Sequence, residues 1–141
     1  MDDKKFMLEA IKDAKESHRN FGAVIIKNNK IIAKAGKRPR HDSKFHAETS
    51  AITKACKKLR TKKLSACVMY TTCEPCPMCF YVSYVSKIKR VVYGASINDA
   101  IEAGYPEIRI SARELSKKSG NKVKLTGNIL RDECVKVLNG H

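Results

Sequence analysis

The apolar positions change period several times along the chain, and each change marks a new element. Phe6, Leu8, Ile11 and Ala14 fall at helical spacing within residues 3–18, the pattern of an amphipathic helix. The runs GAVII and KIIAKAG are β-rich and flank the polar turn Lys27-Asn28-Asn29-Lys30, which predicts a hairpin. Residues 37–45 (KRPRHDSKF) read as a basic loop. From His46 to Arg60 the period is helical again, through Ala47, Ala51, Ile52, Ala55 and Leu59. ACVMYTT reads as a fully buried strand. Pro75 and Pro77 break it, and a helix from Cys76 to Lys87 follows, with Pro77 tolerated in its first turn. RVVYGA predicts another strand, NDAIEAGYPE a loop or short helix ending at Gly104, and KVKLTG a last strand. Asn128 can cap a final helix that carries Leu130, Cys134, Val137 and Leu138 on one face.

This order of helices and strands predicts an α/β fold in which helices cover both faces of one sheet. At 141 residues, the chain is expected to form a single domain spanning 1–141. Apolar residues make up 43% and charged residues 30%, which excludes wholesale disorder. No apolar run reaches the 18 or so residues of a membrane helix, so no membrane association is expected. The first residues alternate charge with apolar positions instead of forming a secretory leader, and a cytoplasmic location is expected.

Charge changes the picture further. There are 29 basic and 14 acidic side chains, a net +15, and residues 1–70 hold 18 of the basic groups. Such a field attracts polyanions or small anionic substrates, and it is equally the signature of a lysine-rich solvated surface.

The candidate chemistry lies in His46-Ala47-Glu48 and in Pro75-Cys76-Pro77-Met78-Cys79. A catalytic zinc takes imidazole and thiolate ligands from three residues and keeps a fourth position open for water. His46, Cys76 and Cys79 make such a set, and one Zn2+ per chain is expected. A Cys-x-x-Cys at a helix start lets both sulfurs face one point, where the helix dipole favours thiolate. Glu48 is two residues from His46, off that ligand's helix face. It is suited to stay off the metal and shuttle a proton from water to a ring nitrogen, then to a departing amine. Cys56, Cys67 and Cys134 read as small buried hydrophobes. Cys73 is open between a thiol near the site and a structural role.

This ordered combination resembles the cytidine deaminase-like zinc deaminase superfamily, and within it the guanine deaminase and tRNA adenosine deaminase branch. FGAVIIKNN, HAETSAI, YTTCEPCPMC and RVVYGA carry the resemblance. It implies a three-layer α/β/α sandwich with a five-stranded mixed sheet, one zinc, hydrolytic deamination and a homodimer. The apolar segment Phe80, Tyr81, Val82, Tyr84 and Val85 fits an interface helix.

Two enzyme readings follow for the substrate. YTTCEPCPMC and DAIEAGY resemble enzymes of free bases and nucleosides; VKLTGNILRDECVKVL resembles the end of bacterial tRNA adenosine deaminases. The preferred partner is a small base, nucleoside or related amino-heterocycle, with tRNA the alternative. In both groups an asparagine after the second strand binds the purine. Here Lys37 or a neighbour stands at that place, and an ammonium only donates. Substrate contacts are expected from Phe21, Lys37, Arg38 and Ala47. A third reading, a zinc-bound scaffold without activity, is opposed by the intact Glu48.

Overall fold

The computed structural model describes residues 2–140. Its elements are α1 (Asp3–Glu16), β1 (Ala23–Lys27), β2 (Lys30–Lys34), α2 (Ala47–Leu59), β3 (Cys67–Cys73) and α3 (Pro77–Val85). Then follow β4 (Arg90–Ala95), α4 (Ile97–Glu102), α5 (Ala112–Lys118), β5 (Lys124–Thr126) and α6 (Arg131–Leu138). One five-stranded sheet runs in the order β2-β1-β3-β4-β5. β1 is antiparallel to both its neighbours, whereas β3, β4 and β5 run parallel, so the sheet is mixed as expected.

Alternation along the strands builds two cores, because successive side chains point to opposite faces. Val24 and Ile26 of β1, Val68 and Tyr70 of β3 and Val92 of β4 face α1 and α6. Ala23, Ile25, Cys67, Met69 and Val91 face α2, α3 and α5. Every residue of β3 is buried, with Thr71 and Thr72 the polar residues among them. The β1–β2 turn uses Asn28 and Asn29 at φ 51° and 60°, the left-handed pair that a two-residue hairpin requires. α1 crosses close over Gly22. A Cβ there would run into the Ala10 carbonyl oxygen and stand 2.7 Å from the Ala14 nitrogen.

Two expectations are corrected. Asn128 does not cap the last helix. It takes φ 60°, Ile129 donates to the Tyr93 carbonyl at 3.2 Å, and the helix begins at Arg131 with Leu130 as its N-cap. The backbone is still bonded to β4 at that point and cannot turn into a helix earlier. α5 has no counterpart in the sequence pattern. It is seven residues long, too short to display a period, and is started by Ser111 accepting from the Glu114 N–H at 3.1 Å. Elsewhere only ends differ: α2 stops at Leu59 because Arg60 turns left-handed, and α3 stops at Val85, two residues before left-handed Lys87. Cys67 and Cys134 are buried as expected, whereas Cys56 is half-buried. Among the described residues, no helix is long and apolar enough to cross a membrane.

The topology gathers one set of loops at one edge of the sheet. The end of β3, the start of antiparallel β1, the end of β2 and the end of β4 all lie there, as the pairs Ala23–Thr71, Val24–Lys34 and Cys73–Ala95 record.

Candidate active site

Two helices start at that edge, and their N-cap residues are His46 for α2 and Cys76 for α3. Neither uses its side chain for capping, so ring and thiol are left available. Pro77 opens α3, where its missing N–H costs nothing, and one turn brings Cys79 back beside Cys76. The ligand atoms of His46, Cys76 and Cys79 all lie within 4.8 Å of one another. His46 Nδ1 is 3.6 Å from Cys76 Sγ and 3.4 Å from Cys79 Sγ. With Zn–S near 2.3 Å and Zn–N near 2.0–2.1 Å, a tetrahedral nitrogen–sulfur edge is about 3.6 Å. The donor set therefore fits zinc in both chemistry and spacing.

A hydrogen bond from Cys79, helped by His46, holds Cys76 down to about 4, and the same bond together with burial pushes Cys79 far up. His46 is raised, chiefly by its hydrogen bond to Cys76.

Glu48, in the first turn of α2, is 5% exposed. Burial first, and the Cys76 charge second, lift its carboxyl to about 7. A carboxyl at that value can serve as either acid or base near neutrality.

The site opens into a cavity of about 330 Å³. His46, Glu48 and Cys76 line it, and so do the expected substrate residues Phe21, Arg38 and Ala47. Lys37 does not: it is exposed and lies outside the lining. Its neighbour Arg38 turns inward instead, donating to the carbonyls of Gly36 and Phe21 at 2.9 Å each. Gly36 makes this turn at φ 63°, held by its N–H to Asp13 Oδ1 at 2.9 Å. Cys73 is buried, lines the cavity and is pushed well up by burial, so it is an inert thiol at the site's wall.

Three lining residues were not legible in the sequence. Glu107 is half-buried in the α4–α5 loop; burial raises its carboxyl, and the charges of Cys76 and His46 both reach it. Glu74 is buried, and its carboxylate closes two helices at once. Oε1 accepts from Ile97 N at 3.1 Å, the first residue of α4, and Oε2 from Ala112 N at 2.7 Å, the first of α5. Arg19 reaches the cavity from the α1–β1 loop. Glu74 and Arg19 act through partners at least 19 residues away, so spacing carries no signal for them.

The sequence pattern of the cytidine and deoxycytidylate deaminase zinc-binding region matches residues 1–95. The chain belongs to this family. Its zinc-binding character and the His/Cys/Cys group agree on one Zn2+ per chain. A guanine deaminase of Bacillus subtilis is 46% identical over 89 residues, which are 62% of this chain and 57% of that protein. A tRNA-specific adenosine deaminase of the same organism is 40% identical over 99 residues, 66% of this chain and 62% of that protein. The matched part thus spans about three-fifths of these relatives' length. A solved guanine deaminase from Nitrosomonas europaea shares the fold, with a TM-score of 0.85 and 25% identity over 96% of this chain and 81% of that one. The α/β fold and the guanine and tRNA adenosine deaminase relatives agree with the resemblance drawn from the motifs.

Proposed function

We propose that this family member is a zinc-dependent deaminase, with residues 1–141 as one catalytic domain. It hydrolyses the exocyclic amine of a nucleobase, nucleoside or related amino-heterocycle and releases ammonia. The observation that carries the reading is the meeting of three zinc-type ligands at two helix N-termini, next to one buried carboxylate. His46 Nδ1, Cys76 Sγ and Cys79 Sγ would hold the ion. Bound zinc supplies Lewis-acid activation of water near neutral pH.

Glu48 accepts the water's proton and passes it to a ring nitrogen as the hydroxyl adds to the amine-bearing carbon; it then takes the proton of that new hydroxyl and passes it to the departing amine. The water oxygen ends as a ring carbonyl and the nitrogen leaves as ammonia. Glu107 accepts a hydrogen bond from the exocyclic amine, and the Phe21 ring packs on the base beside Ala47. Arg38 supplies donors to oxygen atoms on the substrate. Exposed Lys37 adds charge at the mouth without touching the ring. The likeness to a guanine deaminase supports a small substrate.

A second reading, a tRNA-specific adenosine deaminase, is favoured by the 40% identical relative and the +15 charge. Ammonia release from free bases, nucleosides and tRNA at two salt concentrations separates the two. The first reading expects small-molecule turnover with little salt dependence. Turnover of tRNA alone, falling steeply with salt as counterion release requires, would establish the second.

The ligand assignment has its own test. Cys76→Ala removes a thiolate, and the protein is expected to retain well under one zinc per chain on elemental analysis. A full complement in that variant would refute the assignment.

The family likeness and one exposed helix face support a homodimer. Met78, Tyr81 and Val85 recur at helical spacing on α3 and are 36%, 62% and 47% exposed. Tyr81→Asp is expected to lower the mass seen by light scattering from dimer to monomer at micromolar concentration. A monomeric wild type would remove the proposal. We place the protein in the cytoplasm, where a reducing environment suits its six unpaired cysteines.

A further inference from the structure

Charge is not spread evenly over this protein. Residues 49–73, 75–98 and 115–131 contain no acidic side chain. Loops from all three stretches meet at the edge where β3, β4 and β5 begin, opposite the edge that bears the site. Leu64 N–H donates to the Ser86 carbonyl at 2.7 Å, Lys89 N–H to the Cys67 carbonyl at 3.1 Å and Lys124 N–H to the Lys89 carbonyl at 3.1 Å. The three loops are thereby laid side by side. Each presents two exposed lysines: Lys62 and Lys63, Lys87 and Lys89, Lys122 and Lys124. α2 leads into the first loop and α5 into the third, and each adds two lysines in its last turn.

These charges lack counter-ions. Among the described residues, none of the six loop lysines makes an ion pair. Lys124 alone makes a side-chain hydrogen bond, to the Asn121 carbonyl at 3.5 Å, which leaves its charge intact. The nearest acidic side chains start α1, on the other face of the sheet. There Asp3 is held by Arg90 at 2.7 Å, and Asp2 accepts from the Lys5 N–H at 3.1 Å.

We propose that this pole is a docking surface for double-helical nucleic acid, held through its phosphates without regard to sequence, and that the duplex is a partner and not the substrate. β3 and β5 stand two strand spacings apart, about 10 Å. Over that length a duplex carries about six charges, at one per about 1.7 Å, which the six lysines can meet. Single strands are held by stacking on aromatic rings, and stable membrane attachment needs an inserted apolar group or lipid besides charge. These loops offer neither: exposed large apolar side chains such as Tyr81 and Ile108 lie outside them. Lysine is depleted at protein–protein interfaces, which rely on aromatic and arginine anchors. β3 runs from this pole to the site, and its seven residues span about 20 Å. A docked duplex therefore leaves the cavity open, and its binding is independent of the deaminase reading.

The test uses zinc-loaded protein and a short labelled DNA duplex, with anisotropy followed from about 50 to 200 mM salt. Six phosphate contacts predict a loss of about 10³-fold in affinity over that range. A duplex of scrambled sequence is expected to bind equally, and neither duplex is expected to release ammonia. The triple variant Lys63→Gln, Lys87→Gln, Lys122→Gln is expected to bind at least about tenfold more weakly. The slope of log affinity against log salt falls by up to about 2.7, at 0.9 per lost contact. A control with the same loss of charge on α1 and α6, Lys12→Gln, Lys15→Gln, Lys136→Gln, keeps the wild-type slope. No binding, a sequence preference, an equal loss in the control or ammonia released from the duplex would overturn the proposal. So would binding of a single strand, polyglutamate or phosphatidylserine vesicles as tight as that of the duplex.

Discussion

Replacing Glu48 with glutamine is expected to lower ammonia release by about 10²–10⁴-fold or more while the protein keeps its zinc. Glutamine preserves the shape of the side chain and its hydrogen-bonding reach, but it cannot accept the water's proton. Glu48 is buried beside Cys76, so no bulk water stands ready to take over the shuttle. The same change is expected to stabilise the metal-free protein. Burial raises the folded-state carboxyl to about 7 from its ordinary 4.5, so the folded chain binds this proton more tightly than the unfolded chain does. Stability therefore falls as pH rises from about 4.5 to about 7, and the full penalty stands above that window. Glu48→Gln removes the penalty. A midpoint in urea above that of the wild type at pH 8, together with near-zero turnover, is the expected pair of results. Near-normal turnover would show that another group moves the proton.

Glu74→Gln is expected to cost about 2–3 kcal/mol of folding stability, from the weakening of hydrogen bonds to a buried charge worth about 1.5–3 kcal/mol each. The carboxylate accepts from the first amide of α4 with one oxygen and the first amide of α5 with the other. Both contacts place negative charge at a helix N-terminus. A glutamine offers one acceptor oxygen and turns its NH2 group toward the other amide, leaving that N–H without a partner. The segment between these helices carries Tyr105 and Glu107 to the cavity wall, so the site is affected as well. A lower urea midpoint with an unchanged slope is expected, along with faster hydrogen exchange at Ile97 and Ala112. An unchanged midpoint would show that other contacts hold the two helices.

Most of the frame was legible because it rests on local pattern. The β-rich run GAVII, the buried strand β3 and the 3.6-residue period of α1 and α2 each follow from which faces are buried. His46, Glu48, Cys76 and Cys79 were legible for a related reason. Two are N-cap residues, and the other two lie within the first turn, so short spacings fix their relation to each helix. What escaped was set by distant contacts. Glu74 sits inside the motif, yet its partners are 23 and 38 residues away. Arg38, not Lys37, enters the cavity because the backbone turns at Gly36, and its direction depends on Asp13 reaching over from α1. Asn128 failed as a cap because the next residue, Ile129, is still bonded to Tyr93 of β4, which no propensity records.

The most direct test of the account is zinc-dependent ammonia release. The protein is stripped with a chelator, then restored with one equivalent of zinc, and assayed against nucleobases, nucleosides and their monophosphates at each stage. The account predicts that release of ammonia from a small amino-heterocycle disappears on stripping and returns with zinc, and that Glu48→Gln reloaded in the same way stays inactive. Undiminished release from the stripped protein, or no release from any of these compounds by the fully loaded protein, would contradict it.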